Sequence, residues 1–262
     1  MSTHKIPMRS TVRLAAALVL GLACGAAQAA AAKVMLITGV ATATPPGGKA
    51  RSLHRGDAVE PGESLEVGNN SYLSLSFADG GRVLLRPNTV FEVEAYDYPA
   101  PAAATAAPAA PAPVAVPAAE APVSAPAVTE AAPKPGSGKA FFKLVRGGFR
   151  AISGLIGKQD KQEYLIRTSV ATIGIRGTDY VAEKCSGDQC AGPYQQVDGD
   201  LSDALQVGVN EGSIEVTTPD GTAHPVEQGQ FGIATRDGKF FALPLTPMSY
   251  LLNPLPDPDS CQ

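Results

Sequence analysis

Hydrophobic and polar residues alternate with a period of two along much of this chain. The clearest run is Tyr72-Leu73-Ser74-Leu75-Ser76-Phe77. As a strand it puts Leu73, Leu75 and Phe77 on one face and the serines on the other. Asp79-Gly80-Gly81 follows as a hairpin signal, and Val83-Leu84-Leu85 runs back. Phe91 and Val93 alternate with Glu92 and Glu94 in a further strand. Val34 to Ile37, Phe142 to Val145 and Tyr164 to Arg167 read as extended. So do Leu205 to Val209, Ser213 to Thr217, Phe231 to Thr235 and Phe240 to Leu243. Thr44-Pro45-Pro46-Gly47-Gly48, Pro219-Asp220-Gly221 and Asp237-Gly238 break the chain between them. One stretch departs from this pattern. Phe149, Ile152, Leu155 and Ile156 recur at helical spacing, which predicts a short helix broken by Gly154 and Gly157. The pattern as a whole predicts an all-β protein of roughly a dozen short strands.

Two segments do not belong to a core. Pro99 to Gly138 holds ten of the 23 prolines, with alanine filling most of the remainder. Proline removes backbone donors and fixes φ, so this stretch reads as a disordered, extended Pro/Ala-rich spacer. It is expected as an insertion within one domain, because the roughly 65 residues before it would bury too little surface to stand alone. The other segment is N-terminal. Lys5, Arg9 and Arg13 precede an uncharged apolar run from Leu14 to Ala27, and Ala27-Gln28-Ala29 fits a small-x-small cleavage pattern. Residues 1–29 are therefore expected to be a signal peptide, with a retained anchor or a lipidated Cys24 as alternatives. The expected organisation is a single β domain over 33–250, interrupted by the spacer at 99–138, with a loose tail at 251–262.

Charge narrows the partners. The formal charge of the 262-residue chain is -4. Residues 1–29 carry three positive charges and no Asp or Glu, so their removal would leave -7. An acidic mature protein argues against a nucleic-acid partner or an anionic membrane surface, and no membrane span is expected after cleavage.

The segment with the most distinctive composition is Arg167-Thr168-Ser169-Val170-Ala171-Thr172-Ile173-Gly174-Ile175-Arg176-Gly177-Thr178-Asp179-Tyr180. Ile173 and Ile175 alternate with small or polar residues, as in a strand with one buried face. Gly174 and Gly177 lack a Cβ where a bend or close approach is cheap. Arg176 and Asp179 place opposite charges three residues apart, close enough to hydrogen-bond if the chain turns there, and the pair is expected to fix the bend ahead of the alternative, direct contact with a ligand. Thr168 through Thr178 resembles the signature of the FecR-domain family, a Thr-Pro-x-Ala-x-x-x-Val/Ile-Arg-Gly-Thr run. Ser169 stands where the family has Pro. Leu53 to Leu65, with its Gly56-Asp57 and Pro61-Gly62-Glu63 turns, resembles the opening of the same domain. The resemblance implies a solenoid-like or wrapped β architecture, not a closed barrel. It also implies a periplasmic protein-recognition module whose motif residues are Thr168, Ile173, Gly174, Arg176, Gly177, Thr178 and Asp179. Family members pass a signal from an outer-membrane transporter through one membrane helix to a cytoplasmic anti-sigma segment. This chain has only 13 residues before its apolar run and no second run, so that output is not expected here.

Enzyme signatures are absent from the sequence, and no cofactor is expected. His54 and His224 have no partners at catalytic or metal-binding spacing. Gly154-Leu155-Ile156-Gly157-Lys158 ends like a phosphate loop, but Gln159 follows where Ser or Thr would meet Mg²⁺. Asp198, Asp200 and Asp203 could hold calcium or form a solvated loop, though not with EF-hand spacing. Cys185 and Cys190 read as a disulfide in an exported chain, or as metal ligands short of two partners. The expected function is thus a non-catalytic periplasmic module that binds another envelope protein. The alternative is a structural envelope protein whose spacer bridges layers.

Overall fold

A computed structural model describes residues 30–98, 138–159, 162–186 and 197–243. The expected signal peptide, nearly all of the spacer, Cys190 and the tail lie outside these residues. Strands β1 (Ala32–Thr38), β2 (Ala41–Thr44), β3 (Arg51–Ser52), β4 (Ala58–Val59) and β5 (Ser64–Val67) come first. They are followed by β6 (Tyr72–Phe77), β7 (Arg82–Leu85), β8 (Val90–Asp97) and the long β9 (Lys139–Ile152). The short helix α1 (Leu155–Gln159) leads to β10 (Tyr164–Arg167) and the long strands β11 (Thr172–Lys184) and β12 (Leu205–Thr217). The last three are β13 (Ala223–Glu227), β14 (Phe231–Ala234) and β15 (Phe240–Leu243).

Backbone hydrogen bonds join all fifteen strands into one large open sheet, and pairing registers show how it folds back on itself. One layer runs β13, the second half of β12, the first half of β11, β10, the first half of β9, then β8, β5, β2 and β3. The other runs β15, β14, the first half of β12, the second half of β11, the second half of β9, then β7, β6, β1 and β4. Three long strands therefore belong to both layers, and each turns its corner at a glycine of positive φ: Gly147, Gly177 and Gly212. A side chain is disfavoured there. This is the wrapped, all-β arrangement, with the chain crossing repeatedly between layers.

The space between layers is filled by the alternating apolar residues. Phe77 of one layer lies 5.2 Å from Phe142 of the other, and Phe149 lies 5.7 Å from Phe91. These belong to one continuous core that takes in Val34, Leu65, Leu75, Phe91, Ile173 and Val216. The flanks of the proline-rich segment are neighbours, Asp97 paired with Lys139 and Tyr96 with Ala140. Among the described residues no helix is long and apolar enough to cross a membrane.

Several elements differ from the sequence-based expectation. Phe149 and Ile152 lie on β9, and only Leu155–Gln159 is helical. Phe149 and Ala151 are buried while Arg150 and Ile152 are not, which is a period of two. Pairing with β7 and β11 on either side overrides the local helical spacing. The helix tolerates Gly157 because a Cβ there would lie 2.4 Å from Ile175 Cδ1, so α1 sits close on β11. Leu205 to Val209 and Ser213 to Thr217 are one strand bent at Gly212. Finally, β13 is not among the expected strands, since Pro225 sits inside it. Proline is tolerated there because β13 pairs only with β12 and is an edge.

Candidate functional site

The motif segment begins in the turn between β10 and β11. The Thr168 Oγ1 accepts hydrogen bonds from the Val170 and Ala171 N–H groups at 3.2 and 3.0 Å, and donates to the Ala171 carbonyl at 2.8 Å. One side chain thus holds the whole turn. The Ser169 N–H makes no backbone hydrogen bond among the described residues. Its Oγ instead reaches outward, donating to Asp203 at 2.5 Å and accepting from Lys184 at 2.7 Å. Lys184 in turn pairs with Asp203 at 2.8 Å. Burial works to raise the Asp203 carboxyl, but hydrogen bonds from Lys184 and Ser169 outweigh it and hold that carboxyl below its ordinary range.

Ile173 and Ile175 then drive into the core, 0% and 1% exposed. The left-handed turn at Gly177 divides the motif in two. On its N-terminal side, Gly174 and Arg176 lie on the outer face of the first layer. On its C-terminal side, Thr178 is buried and fully used: its N–H donates to Ser153 Oγ at 2.7 Å, and its own hydroxyl donates to the Ser213 carbonyl at 2.7 Å. The same Oγ1 accepts from the Arg176 N–H at 3.2 Å. The Ser153 N–H returns a bond to the Thr178 carbonyl at 2.9 Å. Asp179 lies on the second layer. Its two oxygens accept from Arg150 Nε at 3.0 Å and Nη2 at 2.7 Å, with Asn210 Nδ2 at 3.3 Å from the first.

The expected Arg176–Asp179 pair therefore does not form. Gly177 and the register shift after Arg176 send the two side chains to different layers. Arg176 is exposed, and its guanidinium has no hydrogen-bond or ion-pair partner among the described residues. It borders a shallow furrow in two connected parts centred on Gly174. One part is about 250 Å³, between Leu165, Thr172 and Thr217. The other is about 100 Å³, between Arg176, Pro225 and Glu227. Farther along this layer, Glu92 pairs with Lys143 at 3.1 Å and Glu94 with Arg167.

No cluster of three or more His, Cys, Asp or Glu side chains is arranged for a metal among the described residues. The three loop aspartates diverge: Asp198 to Lys239, Asp203 to Lys184, and Asp200 into its own Ser202 turn. Ser169 and Lys184 lie as close as a nucleophile and base. However, an ammonium already committed to Asp203 is a donor and has no lone pair to accept the serine proton. Cys185 is disulfide-bonded and buried, with Gln206 Nε2 3.6 Å from its sulfur.

Arg150, Ser153 and Lys184 carry no mark in the sequence, and Asp203 stands out there only as one of three loop aspartates. Their partners are 15 to 29 residues away along the chain or farther, and no local spacing distinguishes them. Only the glycines at the strand corners could have hinted at them.

No protein-family model matches the sequence, and no curated protein matches it significantly. Among solved structures, two crystal structures from Parabacteroides distasonis, each of a protein assigned provisionally as an anti-sigma factor, are similar to this chain. The first matches at 13% identity with a TM-score of 0.41, covering 72% of this chain and 64% of that one. The second matches at 13% identity with a TM-score of 0.38, covering 69% and 58%. This chain thus spans less than two thirds of the length of either.

Proposed function

We propose that this chain is an exported, FecR-like recognition module that works in the periplasm without catalysis and docks another envelope protein. The observation that carries this reading is the division of the motif at Gly177. Thr168, Ile173, Ile175, Thr178 and Asp179 are consumed by the frame, whereas Gly174 and Arg176 face an open furrow. An unpaired guanidinium beside Gly174, the one position of the furrow without a side chain, suits an extended polypeptide lying across strands, with Arg176 reaching a carboxylate or main-chain carbonyl of the partner. The charged N-terminal segment supports export, and the acidic balance of the rest disfavours nucleic acid.

The test pairs capture with stability. Affinity purification from envelope extract with the wild-type chain is expected to retain one stoichiometric partner. The Arg176→Glu variant should lose that partner while unfolding at the wild-type denaturant concentration. Equal capture by the variant, or co-purification only with bulk wall material, would overturn the reading and favour a structural envelope role.

A further inference from the structure

A second cleft, which shares no lining residue with the furrow, lies at the end of β8 and the start of β9. It has a volume of about 510 Å³ and is lined by Pro61, Ala78, Ala95, Tyr96, Tyr98 and Lys139, among others. An adjoining cleft of about 360 Å³ continues it past Ala30 and Ala78 toward Ala58 and Phe77. Small side chains and two tyrosines thus line a trough whose edge carries the charged Glu94, Asp97 and Lys139. Tyr96 is fixed in place: its hydroxyl accepts from the Asp79 N–H at 2.9 Å and donates to Asp79 Oδ1 at 3.1 Å. Burial, reinforced by the Asp79 charge, pushes its phenol up, so it stays neutral. By contrast, the Tyr98 hydroxyl and the Lys139 ammonium have no partner among the described residues, and they are free to donate.

Aromatic faces, shallow apolar steps and unpaired donors are the complement of a polyproline II ligand. Its rings pack on tyrosines, and its carbonyls, lacking internal hydrogen bonds, seek outside donors. The sequence supplies such a ligand between Tyr98 and Lys139, which both line the trough. Residues 99–137 contain ten prolines, leave from Tyr98 and return at Gly138, and the flanking Asp97 and Lys139 are cross-strand partners. We propose that a proline-rich stretch of residues 99–137 binds in this trough in cis. Tethering at both ends gives it an effective concentration on the order of millimolar there, so even weak intrinsic affinity produces substantial occupancy.

Amide hydrogen exchange tests this on the full chain and on a variant whose residues 99–137 are replaced by a Gly/Ser chain of equal length. Exchange across Ala30–Lys33 and Glu94–Tyr98 is expected to speed up about two- to tenfold in the variant, with β10 to β12 unchanged. Tyr98→Ala in the native chain should reproduce the effect. A synthetic 99–117 peptide at millimolar concentration should reverse it in the Gly/Ser variant. Unchanged rates, or acceleration spread over the whole protein, would overturn the proposal. So would protection that survives the Gly/Ser replacement and disappears on removing residues 1–29, since a different segment would then fill the trough. Protection that depends on protein concentration would point to a second copy and count against binding in cis.

Discussion

Arg150 grips Asp179 with two parallel hydrogen bonds, its Nη2 2.7 Å from one carboxylate oxygen and its Nε 3.0 Å from the other. Both side chains are only 14% exposed. The pair ties the middle strand of the second layer to β11 immediately past the Gly177 corner. Removing either partner strands the other with little water to replace it. Arg150→Ala and Asp179→Ala are each expected to lower stability by about 2–4 kcal/mol. Arg176→Ala, at an exposed and unpaired position, should change it by less than about 0.5 kcal/mol. Urea unfolding of the three variants checks this, and a destabilised Arg176→Ala beside an unaffected Asp179→Ala would reverse the assignment.

The corner glycines should differ in tolerance. Gly177 has a φ of +60°, yet the nearest atom to an added Cβ would be Lys158 Cγ at 3.3 Å, part of a flexible side chain. Its penalty is therefore mainly the left-handed backbone, about 1–2 kcal/mol for alanine. Gly212, at +79°, adds a collision, since its Cβ would lie 2.5 Å from the Gly177 carbonyl oxygen. Gly212→Ala is expected to cost clearly more than Gly177→Ala in denaturant unfolding, and Gly177→Asn less than Gly177→Val, because a β-branched residue is the poorest fit to positive φ. Equal losses at the two glycines would show that the carbonyl contact relaxes freely.

The legible parts of this fold are those settled within a few residues. Leu73, Leu75 and Phe77 announce β6, and the Gly80 turn, at a φ of +85°, closes its hairpin with β7 as Asp79-Gly80-Gly81 suggests. Even there Ser74, on the face expected to be polar, is buried at 3% because the outer side of the sheet is itself covered. The second half of β9 is illegible because Phe149, Ile152 and Ile156 fit two periodicities over so short a stretch. Strands far off in sequence decide between them. The site divides in the same way. That Gly177 marks a bend is readable, but where the bend sends Arg176 and Asp179 depends on Arg150 and on the register with β12, and neither leaves a trace in the motif.

Cys185 forms a disulfide, and we propose Cys190 as its partner. A loop closed over four intervening residues gains little chain entropy, so its effect is to shape the segment leading toward Asp203. Non-reducing peptide mapping should return a Cys185–Cys190 linked peptide, with Cys261 free to alkylate. A Cys185–Cys261 link would instead fasten the C-terminal segment to the domain and overturn the pairing.

Acid should act through the turn between β12 and β13. The Asp220 carboxylate accepts from the Thr218 hydroxyl at 2.6 Å, the Thr222 N–H at 3.0 Å and the Thr222 hydroxyl at 2.8 Å. The Thr218 bond, followed by those from Thr222, lowers its pKa to about 2. A folded-state pKa depressed below the unfolded value adds stability above the ordinary carboxylate range, and that stability is lost as pH falls through the folded value. The window for Asp220 therefore runs from about pH 4 down to about pH 2. Glu183 works in the opposite sense: burial raises its carboxyl against the pull of Arg86, so its contribution weakens as pH rises through its own range. Asp220→Asn is expected to be less stable than wild type at pH 7, with the difference in urea midpoint shrinking steadily between pH 4 and pH 2. A difference that stays constant across that range would mean the amide replaces the carboxylate's bonds at no electrostatic cost. The charge on Asp220 would then contribute nothing to the turn.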